Sequence, residues 1–205
     1  MNRASLPFSA ACERNRAPIL AVLHQAFRDS REVLEIGSGT GQHAVHFAAA
    51  LSGLHWQPTE RAAQLPGLRA RIALEGSENL RAPLELELET GPWPADPTAG
   101  RPWDAAFSAN TLHIIAVALV ERFFAGVGAT LAPRAHLAVY GPFRYAGRFT
   151  TESNAQFDAA LKQRDPDSGI RDAEWVQQLA AAQRFALVAD HPMPANNQLL
   201  VWQRG

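Results

Sequence analysis

Val33-Leu34-Glu35-Ile36-Gly37-Ser38-Gly39-Thr40-Gly41-Gln42-His43 is the stretch around which the chain is organised. An apolar run containing one acid passes through three alternating glycines and enters a helical pattern. It reads as strand, tight turn and helix start. That order brings backbone N–H groups against a nucleotide-like ligand, because glycines let the main chain approach closely and a helix N-terminus presents unpaired donors. The spacing is Gly-x-Gly-x-Gly, and Gln42 stands where the dinucleotide fingerprint Gly-x-Gly-x-x-Gly has its last glycine.

Downstream, residues 54–59 read as a second strand closed by Glu60. That acid lies about twenty residues beyond the turn, where nucleotide-binding βαβ units set a carboxylate on the ribose hydroxyls. Its two oxygens suit the two donors of a diol. Pro66, Leu68, Ile72 and Leu74 predict a helix stopped by Gly76. Leu84-Glu85-Leu86-Glu87-Leu88-Glu89 alternates strictly, predicting an edge strand with one wetter face. The proline-rich stretch 91–102 is a loop, and 103–108 a fourth, apolar strand. Residues 117–128 predict a helix burying Leu119, Phe123 and Phe124, and 135–140 a fifth strand ending at Gly141-Pro142.

Upstream, Pro18 suits the first position of a helix in which Ile19, Val22, Leu23, Ala26 and Phe27 share a face. Residues 142–171 interrupt the strand–helix rhythm. Ser153 and Gln156 have capping-box spacing for a short helix there, and Asp172 can cap the next one. Strands at 185–189 and 198–202 are too close for a helical crossover, so they are antiparallel neighbours. The predicted architecture is one α/β domain over residues 1–205, a Rossmann-like doubly wound sheet of seven strands, mostly parallel with a reversed last strand. An N-terminal helical segment, 1–29, and an insertion at about 142–171 decorate it.

Composition narrows the partners. Of 205 residues 47% are hydrophobic, enough for a sizeable core, and the net charge of −1 argues against nucleic-acid or anionic-membrane binding. One cysteine, Cys12, fits a reducing compartment, and no signal-peptide or membrane-spanning stretch is present, so a cytoplasmic protein is expected. The seven histidines and Cys12 lack paired metal-ligand spacing, so no metal is expected. A small-molecule partner remains, with the oligomeric state open.

The Gly-x-Gly-x-Gly turn and the reversed last strand together resemble the class I S-adenosylmethionine-dependent methyltransferases, over about residues 30–205. Further runs are more specific: Glu13-Arg14-Asn15-Arg16 before Pro18-Ile19-Leu20, Tyr140-Gly141-Pro142-Phe143, and Ser153-Asn154 with Phe157-Asp158. Arg164-Asp165-Pro166, Gly169-Ile170-Arg171-Asp172 and Met193-Pro194-Ala195-Asn196-Asn197 complete the set. They are similar to the family catalogued as domain of unknown function 938, which includes proteins named methyltransferase-like protein 26. The resemblance implies S-adenosyl-L-methionine as cofactor and supplies no substrate.

Site candidates follow. Gly37, Ser38, Gly39, Thr40 and Gly41 would contact the methionine and ribose part of the cofactor, with Glu60 on the ribose. By resemblance, Glu35 would meet the cofactor's ammonium, and Glu87 or Glu89 would accept from the adenine amino group. Ligands of open α/β sheets sit outside the carboxyl ends of the strands. That edge selects Asn110 beside the cofactor, and His113 and Tyr140 as catalytic candidates, His113 as a general base or simply a hydrogen-bonded helix-start histidine. It also selects Asn196 and Asn197. In similar methyltransferases the insertion recognises substrate, which makes Asn154, Asp158, Arg171 and Asp172 candidates for a polar acceptor; equally, they can cap helices and pair with each other. Arg14 and Asn15 would close over the cofactor as a lid or merely begin a helix. The expected function is methyl transfer to a small polar molecule. The alternatives are an idle cofactor-binding or scaffold protein and an NAD(P)-dependent oxidoreductase.

Overall fold

β1 (Glu32–Ile36) is buried at every position, as a central parallel strand covered by helices on both faces must be. It is the third strand of a seven-stranded sheet with order β3-β2-β1-β4-β5-β10-β9. The strands are β2 (His55–Glu60), β3 (Leu84–Glu85), β4 (Trp103–Ala109), β5 (Leu131–Gly141), β9 (Phe185–Met193) and β10 (Asn197–Arg204). β1 pairs parallel with both β2 and β4, and β4 with β5. β10 runs antiparallel between β5 and β9, so the reversed strand sits one place in from the edge. The chain grows to one side of β1 through β2 and β3, then returns to the other side at β4. The crevice outside the carboxyl ends of β1 and β4 is therefore the topological switch point.

The computed structural model describes residues 6–95 and 102–205. Residues 1–5 of the N-terminal segment and 96–101 of the predicted proline-rich loop lie outside the described residues. Neighbouring strand residues point to opposite faces, and each face has its own core. Val33, Phe107 and Val201 pack with Ile19 and Leu23 of α1 (Ala10–Ala26) and Phe47 of α2 (Gln42–Ala50). Leu34, Ala106 and Trp202 pack with Phe123 and Phe124 of α4 (Val117–Thr130) and Val176 of α6 (Ala173–Ala182). α3 (Leu65–Glu75) follows β2. No helix among the described residues is long and apolar enough to cross a membrane.

Four local expectations need correction. Pro18 lies inside α1 rather than opening it. Ser9 caps the helix nine residues earlier, its side chain accepting from Cys12 N, and buried Asn15, Ile19 and Leu23 hold it on both sides of the proline. The alternating acidic stretch is a strand only at Leu84–Glu85. Paired on one side only, the chain leaves the sheet and turns, with Gly91 N–H donating to Glu87 O at 2.7 Å. In the insertion, Thr151 rather than Ser153 caps α5 (Glu152–Arg164), accepting from Asn154 N at 3.3 Å. Asp172 does precede α6, but its carboxylate takes Arg144 at 2.5 Å and Gly147 N–H at 3.0 Å instead of capping it. The insertion also adds a small sheet, β7-β6-β8, from β6 (Phe143–Tyr145), β7 (Arg148–Phe149) and β8 (Arg171–Asp172).

Candidate functional site

All three glycines of the turn have left-handed φ: 75° at Gly37, 53° at Gly39 and 76° at Gly41. Their surroundings differ. A Cβ on Gly41 would lie 2.6 Å from Leu68 Cδ1 of α3, so this glycine serves helix packing. Nothing lies within 4 Å of a Cβ position on Gly39, whose N–H donates to Glu60 Oε2 at 2.7 Å. The turn is thus tied to the end of β2 and opens onto free space above.

That space is a cleft of about 520 Å³, bounded by the glycine turn, the end of β2, the turn after β3 and the loop after β4. Gly37, Ser38, Gly39, Thr40, Glu60, Glu87 and Asn110 all line it, as do Glu89 and the apolar Leu86, Leu88, Ile114, Ile115 and Leu119. Glu60 accepts from Gly39 N–H and, through Oε1, from Arg61 N–H at 2.9 Å. Each of its oxygens keeps a lone pair for a further donor. Glu87 Oε1 accepts from Ala62 N–H at 3.3 Å. Asn110 sits in the left-handed region at φ 58°, its N–H donating to Tyr140 O at 2.9 Å, which turns the chain sharply off β4 beside the cleft.

Glu35 lies behind the turn. Its buried carboxyl accepts from Trp56 Nε1 at 2.9 Å, and burial pushes its pKa up to about 7. Gln42, the residue that departs from the fingerprint, has a part no glycine could play. Its Oε1 accepts from Ser9 N–H at 2.6 Å and from Thr40 Oγ1 at 3.0 Å, while Nε2 donates to Glu13 Oε1 at 2.8 Å. It pins the start of α1 over the turn, which brings Ser9 and Cys12 into the cleft wall.

The remaining candidates lie elsewhere. His113 is buried outside the cleft wall, its ring 5.5 Å from that of Phe157. Burial, and then the charge of Arg171, lower its pKa to about 4, so it is neutral but only weakly basic at neutral pH. Tyr140 is buried with the Asn15 and Asn197 amides facing its hydroxyl, and burial raises its pKa. Arg14 is exposed. The insertion residues are engaged with one another. Arg171 donates to Leu112 O, Ile115 O and Asp167 O at 3.1, 2.5 and 2.8 Å. Asp158 takes Ile170 N–H at 2.7 Å and Lys162 at 2.6 Å. Asn154 donates to Thr150 Oγ1 and Asn196 O, Asn196 to Ser153 Oγ, and Asn197 to Pro194 O and Ala195 O.

Cys12, Arg61, Gln64 and His43 also line the cleft, and sequence reasoning did not select them for it. For His43 a signal was available, since it stands in the first turn of the helix that the glycines open.

The sheet order, the single antiparallel strand and the glycine turn at the switch point define the class I methyltransferase fold. The family model described as Protein of unknown function (DUF938) matches residues 6–204, and the chain belongs to that family. Among solved structures it is similar to the S-adenosylmethionine-dependent methyltransferase SibL, with 20% identity and a TM-score of 0.78 over 95% of this chain and 56% of that one. Mitomycin 7-O-methyltransferase MmcR is similar at 16% identity and TM-score 0.78, over 96% of this chain and 55% of that one. Human N-acetylserotonin methyltransferase, solved with its cofactor, matches at 14% identity and TM-score 0.78, over 95% and 53%. The chain spans a little over half the length of these proteins, and at such identities the likeness concerns the fold.

Proposed function

We propose that this chain is an S-adenosyl-L-methionine-dependent methyltransferase acting on a small polar molecule, akin to methyltransferase-like protein 26. The observation that carries the reading is the cleft above Gly39, with the Glu60 carboxylate tied to the turn and still able to accept two more hydrogen bonds. The residues present fit the cofactor. The volume lies within the roughly 300–1,000 Å³ of small-molecule sites. Leu86, Leu88, Ile114 and Ile115 offer apolar surface to a base, Glu60 suits a ribose diol, and Glu87 or Glu89 suits an amino group. Glu35 stands behind the amino-acid end. When bound, the cofactor supplies a sulfonium methyl already activated for transfer.

The protein's own work is then to align the acceptor and exclude water. His113, a weakly basic imidazole, and Tyr140, a protonated phenol, are buried outside the cleft wall, so neither is assigned a proton transfer to or from an acceptor near neutral pH. MmcR and the human enzyme are named for small-molecule acceptors, which supports that substrate class. Calorimetric titration with S-adenosylmethionine and S-adenosylhomocysteine tests the proposal: binding is expected, and no binding by either at millimolar concentration sinks it. Binding without methyl turnover across a metabolite pool would instead favour an idle cofactor-binding protein.

A further inference from the structure

His43 is 5% exposed yet lines the cleft. Its ring stacks on Phe47 at 5.1 Å and meets the edge of Phe107 at 6.0 Å, so its orientation is fixed. Nε2 lies 2.7 Å from Asn15 Oδ1. Oδ1 is thus the Asn15 atom that faces the imidazole. A carbonyl oxygen only accepts, so Nε2 carries the proton and Nδ1 carries the lone pair. Burial lowers the pKa of His43 to about 4, aided by the nearby His46 and Arg16, so the ring stays neutral.

Nδ1 has no hydrogen-bond partner among the described residues and is not sealed from solvent. The imidazole is one of the side chains that line the cleft. Its position in the first turn of α2 sets it at the end that holds Ser38, Thr40 and Cys12, away from Glu87 and Glu89.

We infer that His43 Nδ1 is a recognition atom for the protonated amine at the amino-acid end of the cofactor, with its tautomer locked by Asn15. An ammonium brings three donors and needs acceptors for them. The methyltransferase resemblance sets the buried Glu35 at that ammonium as one acceptor, and the Nδ1 lone pair would supply a second. The same lone pair repels a carboxylate, which is better placed on the N–H groups opening α2. The assignment rests on the methyltransferase reading and sharpens it, since it says how the amino-acid end is told from a plain thioether.

The test compares S-adenosylhomocysteine with 5′-methylthioadenosine, which lacks the amino-acid part. His43→Phe keeps the ring on Phe47 and removes Nδ1. It is expected to weaken S-adenosylhomocysteine binding by about ten- to a hundredfold and to leave 5′-methylthioadenosine binding within about twofold. An equal loss for both ligands, or no loss for the first, overturns the inference. If the wild type binds neither ligand, the methyltransferase reading itself falls. Nitrogen NMR of histidine-labelled wild-type protein needs no variant: Nδ1 should be unprotonated in the free protein and should shift with S-adenosylhomocysteine only. An Nδ1–H tautomer in the free protein overturns the inference. Asn15→Leu should release the lock and give a mixture of tautomers.

Discussion

The cleft at the glycine turn and the insertion at 142–172 hold similar polar side chains in opposite states. In the cleft, each Glu60 oxygen accepts one backbone N–H and Glu87 accepts one through Oε1, and both line open space with lone pairs left over. In the insertion, Arg171 and Asp158 are buried and each is engaged by two or more partners. Open valence marks a place for a ligand, whereas filled valence marks a joint. Arg171 is such a joint: by holding the carbonyls of Leu112 and Ile115, it fixes the loop that puts Ile114 and Ile115 into the cleft wall.

The contrast can be broken by experiment. Arg171→Met leaves buried carbonyls without their charged donor and is expected to cost about 3–4 kcal/mol of stability, read from urea unfolding. A loss below about 1 kcal/mol would mean the insertion is not the joint described. Glu60→Ala should do the reverse, lowering S-adenosylhomocysteine affinity by about thirtyfold in calorimetry, or about 2 kcal/mol, while stability changes by less than about 1 kcal/mol.

Acid sensitivity sharpens the comparison further. His43 and His113, with pKa lowered to about 4, take up protons more readily when unfolded, so their contribution to stability is lost as pH falls below about 6.5. Glu35 works against them. Its folded pKa of about 7 means the folded state holds the extra proton, so its contribution is present below about pH 4.5 and is lost as pH rises through 7. Glu35→Gln removes that opposing slope and should steepen the acid loss of stability by about 1.4 kcal/mol per pH unit between roughly pH 5 and 6.5. An unchanged slope would mean Glu35 is ionised in the folded protein. The smallest effect is expected at the rim of the insertion. Lys162→Gln removes a half-exposed cation from Asp158 and should cost under about 1 kcal/mol, with cofactor affinity unaltered in the same titrations.

Much of the cleft at the glycine turn was legible because its signals are local. Glycine spacing sets the turn, strand periodicity sets β1, and Glu60 follows at the distance that a βαβ unit imposes. The alternation at residues 84–89 misled because it reports side-chain polarity and not pairing, and a strand with one neighbour can end after Glu85. Pro18 misled for a related reason: the helix start is decided by Ser9 and by packing, not by the proline. For the substrate side, a polar residue near the right edge reads the same whether its bonds face a ligand or its own fold.

The sequence by itself determined a doubly wound α/β sheet, the edge at which the cleft opens and the turn at Gly37–Gly41, since each depends on neighbours along the chain. Tertiary structure alone decided that Gln42 anchors α1, that Arg171 and Asp158 are joints, and that His43, bonded to Asn15, lines the cleft. Those facts depend on which partners arrive from distant segments. A side chain's chemistry is written in its residue type, but its free valence is known only after its neighbours have taken their share.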